Sequence, residues 1–274
     1  MPGDITHGLG TVIAAKRRII QGNSRVSMNP IVLIPARMAS TRLPGKPLAD
    51  IAGTPMIVRV WQQAVAACVG PSVVAAAEAE IATAIEAAGG KAVLTDPDLP
   101  SGSDRIFQAL TKLDPEGAHD VIVNLQGDLP LLDPAYVRAV VQALSDSGAD
   151  IATLVSRIED PADRDNPNAI KAVVSWDEGG TQGRALYFTR ARAPHGDGPH
   201  YFHVGIYAYR RDALARFVAL PPSPLEKQEK LEQLRAMEAG MRIAVARVDS
   251  VPLSVDTPAD LQDARTLAGK QKQA

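Results

Sequence analysis

Ile31-Val32-Leu33-Ile34-Pro35-Ala36-Arg37-Met38-Ala39-Ser40-Thr41-Arg42-Leu43-Pro44-Gly45-Lys46-Pro47 is the stretch on which the reading of the fold turns. Its first four residues are apolar and mostly branched, which suits a strand covered on both faces. The rest is a loop with three cations and little to bury. In an open α/β sheet, the loop beyond a strand's carboxyl end is where ligands bind. Lys46 is followed by Pro47 and no glycine stands five residues before Gly45, so this is not a phosphate-binding Walker loop; it is not a GxGxxG dinucleotide loop either.

Working outward, similar apolar runs recur at residues 73–76, 92–94 and 121–123, with helical patterns between them at 56–67, 79–88 and 104–113. The alternation predicts right-handed parallel crossovers and a three-layer α/β/α, Rossmann-like sandwich. Asp133 before Pro134 and Thr257 before Pro258 place capping side chains ahead of proline at a first helical position, with Asp260 completing a capping box. Between about 150 and 210 the rhythm changes to four strand-like runs, at 151–158, 169–174, 184–188 and 201–209, read as an antiparallel subdomain inserted in a single domain over 28–270. Six of the nine Tyr and Phe residues fall between Tyr187 and Tyr209, a clustering expected of an interface or a sugar-binding wall. A helix near 225–237, a strand near 243–248 and a helix at 258–267 follow.

Composition narrows the function. The 274 residues carry 29 Lys and Arg against 31 Asp and Glu, a formal net charge of -2 that gives no reason to expect a nucleic-acid partner. The single cysteine, Cys68, excludes an internal disulfide and multi-cysteine zinc sites, and its apolar surroundings predict a buried packing residue. The charge-free stretch between Arg59 and Glu78 is broken by Gln62, Gln63, Gly70, Pro71 and Ser72, so no membrane insertion is expected there. In residues 1–27 the apolar run precedes Lys16, Arg17 and Arg18, the reverse of a secretory signal. A cytoplasmic protein with a disordered extension is expected, Met28 being a possible start.

Candidate chemistry begins with Arg37, Arg42 and Lys46, which suit a polyphosphate, although a solvated loop would look the same. Asp128, in Asn124-Leu125-Gln126-Gly127-Asp128-Leu129-Pro130, and Asp256, before Thr257-Pro258, could together hold magnesium against phosphates. Each also reads as turn or helix-entry punctuation. His203 and Tyr207 share one strand face, with His200 on the other, which argues against a two-histidine metal site. His203 reads equally as a core residue. Arg190 and Arg192 are rim charges or carboxylate anchors, and Glu232 and Gln233 fit a solvated helix face.

Taken in order, PARMASTRLPGKPL, PSGSDR, VNLQGDLP, NPNA, FTRARAP, HVGIYAYR, PSPLEKQEKLEQLR and VDTPADL resemble the cytidylyltransferases that activate 3-deoxy-manno-octulosonate (Kdo) to CMP-Kdo. The resemblance runs from about 28 to 267. It implies a homodimeric nucleotide-diphospho-sugar transferase fold, CTP and Kdo as substrates, Mg2+ as cofactor and a role in lipopolysaccharide synthesis. It further implies Arg37, Arg42 and Lys46 on the CTP phosphates, Ser101 and Arg105 near the nucleotide, and Asp128 and Asp256 as magnesium ligands. Lys46, Arg37, Asp128 and Asp256 form the expected catalytic set. Gln126, expected at both nucleotide and sugar, joins Arg190, His203, Tyr207, Glu232 and Gln233 as the expected sugar pocket. Leu129 stands where the family often has glutamate and Ala77 where aspartate is common. The alternatives are a cytidylyltransferase for 8-amino-Kdo or sialic acid, or a non-catalytic nucleotide-binding module.

Overall fold

The computed structural model describes residues 28–271; the expected disorder of 1–27 lies outside them. In chain order the elements are β1 (Pro30–Ala36), the short ribbon β2 (Asp50–Ile51) and β3 (Thr54–Pro55), α1 (Met56–Ala66), β4 (Ser72–Ala76), α2 (Ala79–Ala87), β5 (Lys91–Leu94), α3 (Gly102–Leu113), β6 (Val121–Asn124) and α4 (Pro134–Ser147). Then come β7 (Ile151–Arg157), α5 (Ala162–Asp165), β8 (Lys171–Trp176), β9 (Gln182–Thr189), β10 (Tyr201–Arg210), α6 (Arg211–Ala219), α7 (Pro224–Glu229), α8 (Gln233–Glu238), β11 (Ile243–Val248) and α9 (Pro258–Gln271).

One nine-stranded sheet, ordered β5-β4-β1-β6-β10-β7-β11-β9-β8, runs through the described residues. β1 sits between β4 and β6, parallel to both, as expected of a wholly apolar strand. Its alternate residues go to opposite cores. Val32 and Ile34 pack in one cluster with Ile57, Val60, Ile81, Ile85, Val137 and Leu144 of α1, α2 and α4. Ile31 and Leu33 pack in the other with Ile106, Leu110, Phe217 and Leu234 of α3, α6 and α8. Each such side chain contributes about 1.5–3 kcal/mol, so the three layers are held by both faces of one strand. Among the described residues no helix is long and apolar enough to cross a membrane.

The segment 150–210 is β-rich as read, but its strands belong to the same sheet. β10 pairs antiparallel with both β6 and β7, and β8 reaches back to β10 through Lys171 and Phe202. Half of the aromatic cluster is core: Phe188, Tyr201 and Tyr209 are buried, and Tyr187, Phe202 and Tyr207 pack half-buried against it. The single helix expected over 225–237 is two, because Lys230 adopts φ 56 and closes α7 after one capping-boxed turn. Cys68 is exposed, since it follows α1 in a left-handed conformation (φ 54) that turns it from the core.

Candidate active site

The loop after β1 turns at Gly45, whose φ of 68 is open to glycine at no steric cost. The turn buries Pro47 and sends Lys46 back across the strand ends. There it meets the segment after β6, where Gly127 lets the backbone approach: a Cβ at that position would lie 2.8 Å from the Pro35 carbonyl oxygen. Asp128 is joined to the chain before α9 by a hydrogen bond from Val255 N to its carbonyl (3.0 Å). Val255, Leu261 and Ala264 pack with Ile51 and Met56, which anchors that chain beside the loop.

The Lys46 ammonium therefore donates to Asp128 Oδ2 and Asp256 Oδ1, both at 2.9 Å, and Arg42 pairs with Asp256 at 3.2 Å. Burial acts to lower the Lys46 pKa, but the charge and hydrogen bond of Asp128, then those of Asp256, outweigh it and hold the group above its ordinary value. A cleft of about 420 Å³ opens over this triad, and Arg37, Arg42, Lys46, Ser101, Gln126 and Asp128 line it. Two hard carboxylates reaching one cation from separate loops form the donor set that magnesium takes when substrate oxygens and water complete the shell. The residues present thus fit the ion. Leu129 is buried in the core while Asp128 lines the cleft, so its side chain is not part of the donor set.

Arg105 lines the same cleft, but its guanidinium donates to Thr95 Oγ1 (2.6 Å) and the Asp96 and Pro97 carbonyls. It shapes the wall. Of the residues expected at the sugar, Gln126 lines this cleft and Glu232 meets it through Ser101, while Arg190, His203, Tyr207 and Gln233 stand outside its lining. The His203 ring is 4.8 Å from Phe188 and 5.5 Å from Tyr207, and Tyr207 pairs with Asn124, two residues before Gln126. Burial lowers the His203 pKa to about 3, so it is a neutral imidazole at physiological pH. His200 instead lies with Nε2 2.9 Å from the Pro194 carbonyl and Nδ1 3.0 Å from that of Gly198.

Glu232 is half-buried rather than on the solvated face that its charged helix suggested. Its Oε1 lies 2.9 Å from Ser101 Oγ, and its Oε2 accepts from Ser103 Oγ (3.2 Å) at the start of α3. Gln233 is buried beside it, its Nε2 without a hydrogen-bond partner among the described residues. Arg190 is braced by backbone: Nε donates to the Glu229 carbonyl (2.8 Å) and NH1 to that of Pro167 (3.0 Å).

Two contributors went unread in the sequence. Glu229 accepts from Thr189 Oγ1 and from Arg190 N, fixing the Arg190 backbone. Thr153 sits where β10 bulges between Val204 and Tyr207; its Oγ1 is 3.0 Å from His203 Nε2 and donates to the Ile206 carbonyl (2.9 Å). Neither has a local signal, because the partners of both are distant in sequence.

A family profile described as Cytidylyltransferase matches residues 31–243. The chain is 66% identical over 243 residues to the 3-deoxy-manno-octulosonate cytidylyltransferase of Parvibaculum lavamentivorans, covering 89% of this chain and 94% of that protein. It is 61% identical to the enzyme of that name from Rhodospirillum rubrum, over 91% of this chain and 99% of that one. A solved CMP:2-keto-3-deoxy-manno-octonic acid synthetase complexed with CTP superposes with a TM-score of 0.82 at 38% identity, over 89% of this chain and 99% of that one. A nucleotidyl transferase from Methanothermobacter thermautotroptrophicus, 16% identical with a TM-score of 0.58 over 89% of this chain and 99% of that one, shares the fold.

Proposed function

The chain belongs to the 3-deoxy-manno-octulosonate cytidylyltransferase family, and we propose from that premise how its cleft does the work of transferring CMP from CTP to Kdo with release of pyrophosphate. The observation that carries the reading is Lys46, held between Asp128 and Asp256 under a cleft rimmed by Arg37 and Arg42. The sugar's anomeric hydroxyl attacks the α-phosphate in line; the bond to that phosphorus forms as the bond to the pyrophosphate oxygen breaks. No side-chain nucleophile is needed, and positioning with charge neutralisation supplies the catalysis.

In this assignment Lys46 offsets charge at the reacting phosphate, and Arg37 and Arg42 hold the leaving pyrophosphate. Asp128 and Asp256 would hold Mg2+, which when bound neutralises phosphate charge and lowers the pKa of a coordinated oxygen. Ser101 and Arg105 shape the nucleotide side, and Gln126 lies between nucleotide and sugar. His203, Tyr207, Arg190, Glu232 and Gln233 frame the sugar acid. As a buried neutral imidazole, His203 orients through hydrogen bonds and carries no proton away. A homodimeric, cytoplasmic enzyme completes the proposal. Steady-state turnover with CTP and each candidate sugar acid tests it; 8-amino-Kdo or N-acetylneuraminate outpacing Kdo would reassign the substrate.

A further inference from the structure

A second cleft, of about 510 Å³, lies between the start of α3 and the α7–α8 turn, lined by Ser101, Asp104, Lys230, Glu232 and Arg235 among others. Ser101 also lines the nucleotide cleft. Its Oγ lies 2.7 Å from Asp104 Oδ2 and 2.9 Å from Glu232 Oε1. A hydroxyl has one hydrogen. Were both carboxyls ionised, one would face a serine lone pair at hydrogen-bond distance with nothing between them. A second proton resolves the contact, with one carboxyl donating to Ser101 as Ser101 donates to the other.

The surroundings decide which carboxyl carries it. Asp104 stands in the first turn of α3, where the helix N-terminus favours a negative charge. Glu232 is packed against the buried Ser103 and the buried Tyr209. Burial is the largest influence and pushes the Glu232 pKa up; Ser101, Arg235 and Ser103 pull the other way and do not cancel it, and the charge of Asp104 adds a smaller upward push. The charged and titratable groups around it are Asp104 on α3, Tyr207 and Tyr209 on β10, Arg235 on α8, and Glu226, Lys227 and Lys230 along the cleft.

We propose that Asp104 is a positioning residue which, through Ser101, holds Glu232 as a neutral carboxylic acid, so that the pocket meets an anionic sugar acid without a second negative charge. This rests on the sugar-acid reading above. The linkage couples the nucleotide and sugar sides of the molecule through one hydroxyl.

Infrared spectroscopy of the substrate-free protein reads the proton whether or not Kdo is the substrate. The wild type is expected to show a protonated-carboxyl C=O band at about neutral pH that Glu232→Gln removes. Asp104→Asn should lower that band's titration midpoint by about one pH unit. In kinetics, KM for the sugar acid should climb up to about tenfold per pH unit once Glu232 ionises. The rise should begin about one unit lower in Asp104→Asn, return toward wild type in Asp104→Glu and disappear in Glu232→Gln, with KM for CTP little moved. Ser101→Ala, read by the same band, serves if Asp104→Asn fails to fold. A band absent from the wild type, or a midpoint or KM profile unmoved by Asp104→Asn, overturns the proposal.

Discussion

Lys46 is the residue on which the site converges, because its ammonium is the contact shared by two aspartates from loops 128 residues apart in sequence (256 − 128). Lys46→Ala should keep its circular dichroism spectrum yet lose at least about 100-fold in kcat; near-normal turnover would remove Lys46 from the catalytic set. His203 gives a stability prediction with a definite sign. Its folded pKa, about 3, lies below the unfolded value, so the unfolded chain binds the proton first as pH falls. The stability contributed by the neutral ring is full above about pH 6.5 and should fall by about 2 kcal/mol by about pH 5. Urea midpoints at the two pH values check this, and His203→Gln should remove that part of the loss. The cationic loop and both aspartates were legible in the sequence because turn chemistry marks them locally. The contact of Glu232 with Ser101 and Ser103 was not, since a charged helix gives no hint of what lies across from it.

At the level of elements, β1 declared itself: an uninterrupted apolar run can be satisfied only inside a sheet covered on both sides. The caps at Asp133 and Thr257 and the helices they start were equally readable, a side-chain oxygen accepting from the first-turn backbone in each case. The break between α7 and α8 was not, because a left-handed lysine carries no glycine signal. The β10 bulge is also non-local. Thr153 supports it by donating to the Ile206 carbonyl while meeting the His203 ring. Thr153→Val should lower stability by about 1–3 kcal/mol, leaving buried acceptors unpaired, and raise KM for the sugar acid more than KM for CTP. Thr153→Ser should restore most of both; equal stability of the valine variant in urea would show that the bulge carries itself.

For the whole molecule, alternating strand and helix predicted three layers, but not that the segment 150–210 would enter the same sheet, since pairing partners are chosen by cross-strand packing that periodicity does not encode. Half of the aromatic residues that suggested an interface are buried in the core, so the proposed homodimer rests on the family resemblance. Sedimentation should show a dimer at working concentration; a monomer would withdraw it. Pyrophosphate release from the purified protein with CTP and Mg2+, comparing Kdo, 8-amino-Kdo, N-acetylneuraminate and no sugar, with UTP as control, shows whether this cleft joins CTP to Kdo. Rapid release with CTP and Kdo alone is the predicted result. Silence with every sugar acid, while CTP still binds, would contradict it and leave a nucleotide-binding module in its place.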